Sequence, residues 1–251
     1  MASDIILRTE NLKKYFGPVH AVEQVNLEVP RGQVYGFLGP NGAGKTTTIG
    51  MILGLLHPTD GRVELFGERV TPSDTAALRR VGALVGAPAL VPYLSARKNL
   101  EMVARLTPGL PNGRVEAVLE RVGLSHAADR KAGHFSTGMK QRLGLAMALV
   151  GEPELLILDE PTNGMDPAGM REVRVLLRSL AEEGVTVFLS SHLLHEIEQV
   201  CDQVAVLYQG RITARGRVSE LIGGGTRIKV RVDSPSNAAE LLRGLPGVQD
   251  V

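Results

Sequence analysis

The chain has 251 residues, 43% hydrophobic and 22% charged, with Lys plus Arg at 28 against Asp plus Glu at 27. That composition describes a folded globular protein with a sizeable core, and a formal charge of +1 supplies no electrostatic case for nucleic acid as a bulk partner. The single cysteine, Cys201, excludes an intrachain disulfide, and no apolar run approaches the ~18 residues that span a bilayer.

The start "MASDIILRTE" lacks the basic flank and apolar core of a signal segment, so a cytosolic protein is expected, one that serves a membrane only by docking onto another protein. The basic pairs Lys13-Lys14 and Arg79-Arg80 read as solvated surface. "QVYGFLG" (33–39) is a short apolar run ending in a Gly-rich turn, and Ile49, Ile52, Leu53 and Leu56 then follow helical spacing. "GRVELFG" (61–67) alternates as a strand between two glycines. From about 95 to 122 the pattern turns helical, with Ser95 as cap and Val115, Val118, Leu119 and Val122 on one face.

"ELLILDE" (154–160) is a continuous apolar run ending in two acids, as a strand buried on both faces requires. Met170, Val173, Leu177 and Leu180 mark a helix that Gly184 stops, and "VTVFLSSH" (185–192) is another buried strand. Strands alternating with helices predict an α/β fold with a mainly parallel sheet flanked by helices. The helical stretch from about 88 to 150 interrupts that alternation and reads as an inserted subdomain. After "GGG" at 223–225, "TRIKVRVD" alternates and "NAAELLRGL" is helical in pattern, which predicts a small α+β appendage over 226–251.

Gly39, Gly44, Lys45 and Thr46 satisfy G-x-x-x-x-G-K-[ST] between a strand and a helix. An ordinary Gly-rich turn meets those four positions on the order of once per hundred chains of this length, so a phosphate site is the better reading. Backbone N–H groups of Gly39, Pro40, Asn41, Gly42, Ala43, Gly44, Lys45, Thr46 and Thr47, proline excepted, form the cradle. Lys45 would reach the outer phosphates and the Thr46 hydroxyl would hold Mg²⁺. Asp159 and Glu160 at a strand end are a solvated edge as readily as a site when taken alone. Beside a phosphate loop, Asp159 suits a Mg²⁺ ligand and Glu160 a group that orients water. His192 ends another buried strand and could touch the same γ-phosphate, although a lone histidine is more often structural. "HLLHE" (192–196) matches no zinc signature. A second anion-receptive turn, "FSTGMKQR" (135–142), lies almost a hundred residues beyond the first.

Over roughly residues 5–222 these motifs, "GPNGAGKTT", "FSTGMKQR", "LLILDEPTNGMDP" and "SSH" in that order, resemble the nucleotide-binding subunits of ABC transporters. The resemblance implies a P-loop NTPase cassette over residues 1–222 with an antiparallel N-terminal β-subdomain. It also implies ATP and Mg²⁺ as cofactors and hydrolysis of ATP to ADP and phosphate. Two cassettes would pair head to tail, so that Ser136, Thr137 and Gly138 of one chain bind the γ-phosphate held by the other. Glu160 and His192 would be catalytic, Thr46 and Asp159 metal ligands, and Phe16, ahead of Tyr15, the aromatic on which adenine stacks. The loop from Asn163 to Asp166 would link the two sites. Separate transmembrane permease subunits would be the other partners, and the chain would sit on the cytoplasmic face of the cell membrane. "NGMDP" and "FSTGMKQR" are similar to the drug, antibiotic and lantibiotic-immunity exporter branch.

Thr137 and Met139 depart from the Gly and Gln of the commonest signature. Lining up Leu94–Leu100 puts Gly86 where the family carries Gln or Glu, and since no insertion is needed on either side, a missing side chain is expected rather than a changed loop path. A soluble ABC-type ATPase acting on a non-membrane machine is the alternative, but it would carry two cassettes or a long heptad insertion; a P-loop GTPase would need N-K-x-D, which the chain lacks.

Overall fold

A computed structural model describes residues 4–71 and 73–221, together with Ala238 and Leu242. The expected appendage at 226–251 lies, apart from those two positions, outside the described residues.

The chain opens with a hairpin of β1 (Ile5–Phe16) and β2 (Val19–Pro30) and then enters β3 (Val34–Leu38). The helix α1 (Lys45–Ile52) follows, and then β4 (Asp60–Leu65), β5 (Glu68–Val70) and β6 (Val81–Leu84). Three helices come next, α2 (Ala96–Ala104), α3 (Arg114–Arg121) and α4 (Thr137–Leu149). Strand and helix then alternate through β7 (Leu155–Asp159), α5 (Pro167–Glu182), β8 (Thr186–Ser191) and α6 (Leu194–Val200). β9 (Gln203–Tyr208), β10 (Arg211–Arg217) and the short α7 (Val218–Leu221) finish the described chain.

The ten strands of the described residues join one sheet in the order β5-β4-β1-β2-β10-β9-β3-β8-β7-β6. From β9 to β6 neighbouring strands run parallel, whereas β1, β2, β4 and β5 pair antiparallel. The expected antiparallel β-subdomain and parallel core are therefore both present. β7 and β8 are buried at every residue. Leu156 and Leu158 enter one core with Leu143, Val173 and Ile197 from the helices, and Leu155 and Ile157 enter a second core with Phe37, Ile49 and Leu27. A strand packed on both faces cannot alternate in polarity, which is why "LLIL" is continuous.

The helical pattern expected over 95–122 divides in two. Pro108, Gly109, Pro111 and Gly113 separate α2 from α3, and Gly109 and Gly113 take positive φ. The Ser95 hydroxyl accepts the Lys98 N–H at 3.2 Å, as a cap should. Asp166 caps α5 in the same way, accepting the Gly169 N–H at 3.2 Å with Pro167 in the first turn. The basic pairs lie at the surface, where Lys13, Lys14 and Arg80 find partners and Arg79 is exposed. Lys13 pairs with Asp60 at 2.9 Å, Lys14 donates to His57 O at 2.7 Å, and Arg80 grips Glu154 with Nε at 2.6 Å and Nη2 at 2.8 Å.

Candidate functional site

Three adjacent parallel strands, β3, β8 and β7, end at the same edge of the sheet and present the loop 39–44, Ser190 to His192, and Asp159-Glu160 side by side. Such an edge is where open α/β sheets bind ligands. The Gly39 N–H donates to Ser191 O at 3.1 Å, tying the loop to β8. Pro40 O accepts the Ala43 N–H at 3.1 Å, Ala43 is buried, and Asn41 and Gly42 are exposed at the tip. Gly44 takes φ 105, and a Cβ there would come 2.5 Å from Ala21 O, so only glycine fits. Having no side chain, Gly44 leaves the first turn of α1, Lys45 to Thr47, without a cap. Uncapped N–H groups at the positive end of a helix dipole suit a phosphate.

Lys45 is 5% exposed, and its ammonium donates to Gly39 O at 2.7 Å and Pro40 O at 3.3 Å while facing Glu160 Oε1 at 3.2 Å. The other Glu160 oxygen meets His192 Nδ1 at 2.7 Å. Glu160 is thus held between a lysine and a histidine. Its φ of +50 is one that residues other than glycine rarely adopt and costs on the order of 1–3 kcal/mol unless the surroundings impose it. They do so here: the Glu160 N–H points at Ser190 O (3.2 Å) and Ser190 Oγ (3.1 Å), and Glu160 O accepts the Asn163 N–H at 3.1 Å.

Asp159 is 6% exposed, and its two oxygens accept the Thr46 hydroxyl at 2.8 Å and the Ser190 hydroxyl at 2.5 Å. Thr46 and Asp159 therefore converge as two hard oxygen donors beside the phosphate loop. That fits Mg²⁺, which takes one or two protein oxygens and completes its shell with phosphate and water.

Ser190 was not singled out by its sequence, yet it touches both acids. Its signal was available: two hydroxyls ending a strand that is buried at every position must find partners there.

Phe16 closes β1 with 47% of its surface exposed, and Lys14 Nζ lies 5.0 Å from its ring centroid. Tyr15 is stacked on His20 with ring centroids 4.1 Å apart. Of the two aromatics, Phe16 keeps a face for a base.

Among the described residues, no hydrogen bond or ion pair joins 135–142 to 39–47. Ser136 caps α4, accepting the Met139 N–H at 3.2 Å, and Ser136 and Thr137 are exposed. The loop 163–166 packs behind them: Thr137 Cγ2 lies 3.0 Å from where a Cβ on Gly164 would sit, and Met165 Cγ 3.9 Å from one on Gly138.

Gly86 departs from expectation. Its φ is +64, so the loop uses glycine's freedom rather than merely lacking a side chain, although space for a Cβ is open.

The family model described as "ABC transporter" matches residues 22–163. The chain is 49% identical over 208 residues to the bacitracin transport ATP-binding protein BcrA of Bacillus licheniformis, covering 82% of this chain and 68% of the relative. It is 40% identical over 207 residues to the lantibiotic transport ATP-binding protein SrtF of Streptococcus pyogenes, covering 82% and 89%. A solved dimeric ATP-binding cassette, MJ0796 in a post-hydrolysis state bound to ADP and Pi, superposes with a TM-score of 0.77 at 25% identity over 85% of this chain and 99% of that one.

Proposed function

Because the chain belongs to the ABC transporter ATP-binding family, we propose that it powers export of an antibiotic or peptide by ATP-driven closure of a head-to-tail dimer. It is an ATP-binding and ATP-hydrolysing cassette. On this reading the cassette occupies 1–222, its helical subdomain runs from about 88 to 150, and 226–251 begins an accessory domain. No helix of the described residues is long and apolar enough to cross a membrane. The proposed partners, by likeness to the transport ATP-binding proteins, are separate permease subunits, docked from the cytoplasmic face. The likeness to bacitracin and lantibiotic transport proteins favours an exporter over a soluble machine.

The observation that carries the hydrolytic reading is the placing of Glu160 between Lys45 and His192. With ATP in the cradle, Lys45 faces the γ-phosphate, His192 contacts it and steadies Glu160, and Glu160 accepts a proton from the attacking water. Thr46 and Asp159 would hold Mg²⁺, which neutralises charge on the phosphates. Ser136 and Gly138, which make no hydrogen bond or ion pair to their own chain's phosphate loop, meet the γ-phosphate of the partner's nucleotide. Phe16 stacks on adenine.

Deleting the gene from its source organism tests the transport reading. Inhibitory concentrations of bacitracin and a lantibiotic are compared in the deletion strain with and without complementation. Greater susceptibility to at least one, restored by the wild-type chain and not by Lys45→Ala, is expected. Unaltered susceptibility to both would remove antibiotic export from the proposal.

A further inference from the structure

The two carboxylate oxygens of Glu196 reach two different loops of the site. Oε1 accepts the Thr162 hydroxyl at 2.5 Å, and Oε2 accepts the Ser191 hydroxyl at 2.7 Å. Both hydroxyls are nearly out of solvent, Thr162 at 6% and Ser191 at 1% exposure. Hydrogen bonds to an ionised acceptor in such a place are shorter and stronger than neutral ones, and leaving either hydroxyl unpaired is costly. Thr162 follows Glu160 by two residues, and Ser191 directly precedes His192. Ser191 Oγ also accepts the Leu193 N–H at 3.0 Å, which fixes the turn by which His192 leads into α6. Beside the contact between Glu160 and His192, then, stands a second tie that spans the same two loops.

We infer that Glu196 is a positioning residue for hydrolysis. By clamping the Thr162 loop to the Ser191 turn it holds Glu160 and His192 in register, without itself touching nucleotide. The inference rests on the assignment of Glu160 and His192 to the hydrolytic step. The clamp calls for a carboxylate because both partners donate. A glutamine keeps one acceptor oxygen and turns its amide NH2 toward the other hydroxyl, whereas alanine abandons both.

The test uses the full chain and measures kcat, KM for ATP, nucleotide Kd and melting temperature. The variants are Glu196→Ala, Glu196→Gln, Thr162→Val, the double variant Glu196→Ala/Thr162→Val, and Glu160→Gln as reference. A loosened catalytic pair predicts a fall of about 10- to 100-fold in kcat for Glu196→Ala, with KM and Kd within about twofold. Glu196→Gln is expected to lie between Glu196→Ala and wild type. Thr162→Val should lower kcat by itself and add little in the double variant, as two ends of one tie do. Unchanged kcat in Glu196→Ala, a loss regained simply by assaying at lower temperature, or full additivity with Thr162→Val would overturn the inference. Should Glu196→Ala fail to fold, Glu196→Gln and Thr162→Val carry the same comparison. If Glu160→Gln itself hydrolyses ATP normally, the hydrolytic assignment falls and takes this inference with it; a slow Glu160→Gln beside a fast Glu196→Ala sinks the inference alone.

Discussion

Glu160 Oε2 and His192 Nδ1 meet at 2.7 Å although the residues leave from neighbouring parallel strands, 32 positions apart in the chain. Lys45 holds the other carboxylate oxygen at 3.2 Å, so the group is anchored on both sides. Glu160→Gln keeps the shape and removes the base. It is expected to bind ATP normally, to slow hydrolysis by ~10²- to 10⁴-fold, and to accumulate as an ATP-bound dimer on size-exclusion chromatography. Turnover equal to wild type would take the base role away from Glu160.

Phe16 is exposed, whereas Tyr15 is stacked on His20. Stacking a base on an aromatic ring is worth ~1–3 kcal/mol, so Phe16→Ala should weaken nucleotide binding by about 5- to 150-fold in a calorimetric titration. Tyr15→Ala should shift it by less than about threefold. The reverse ranking would move the adenine contact to Tyr15.

Much of this arrangement was legible in the sequence, and the rest was hidden for identifiable reasons. The buried strands carrying Asp159, Glu160 and His192 stood out because parallel strands covered on both faces are continuous apolar runs. β6 is four residues long, and the inward face of β10 carries only Ile212, Ala214 and Gly216, none of them buried, so neither stood out from the residues around it. Ser190 and Glu196 were hidden differently. The run of buried positions ending in Ser190 and Ser191 signals that the hydroxyls need partners but not which ones, and a glutamate on a short helix is common; only the fold brings Ser190 to both acids and Glu196 to Thr162. Gly86 shows the opposite limit. Lining up its neighbours detected the substitution but not the backbone angle, since φ has no signature in a sequence that needs no insertion.

That angle decides what Gly86→Gln would do. Placing a side chain at φ +64 strains the backbone even with open space around the Cβ, at a cost of about 1 kcal/mol or more. A melting temperature lowered by about 2 °C or more, with no gain in ATPase activity across a Mg²⁺ titration, is expected. Higher activity at unchanged stability would mean that only a metal ligand was missing.

Arg80, just before β6, grips Glu154, just before β7, and Arg31 reaches the same carboxylate at 3.3 Å. The hydrogen bonds from Arg80 are the largest cause holding the Glu154 carboxyl below its ordinary range. A depressed folded-state value means that the stabilisation is present above the unfolded value and is lost as pH falls through the folded one. Glu154 is 46% exposed, so solvent screening keeps the pair at ~0.2–1 kcal/mol. Glu154→Gln should therefore melt about 0.5–4 °C lower than wild type at pH 7, and the gap should close as pH drops below the usual glutamate range. A gap that persists in acid would assign the loss to packing instead.

In the proposed dimer the turn 135–142 serves the nucleotide of a second chain. Cysteines introduced at Asn41, exposed at the tip of the phosphate loop, and at Ser136 test it most directly. Cys201 is buried, and burial holds its thiol above the usual range, so it competes poorly for a thiol reagent. Chains carrying Asn41→Cys are mixed with chains carrying Ser136→Cys, both in a Glu160→Gln background, and treated with a short bifunctional thiol reagent with and without ATP. A product of twice the chain mass that forms only in the mixture and only with ATP is predicted. Its absence, together with an unshifted crosslinked monomer when one chain carries both cysteines, would mean that the turn serves its own chain's nucleotide.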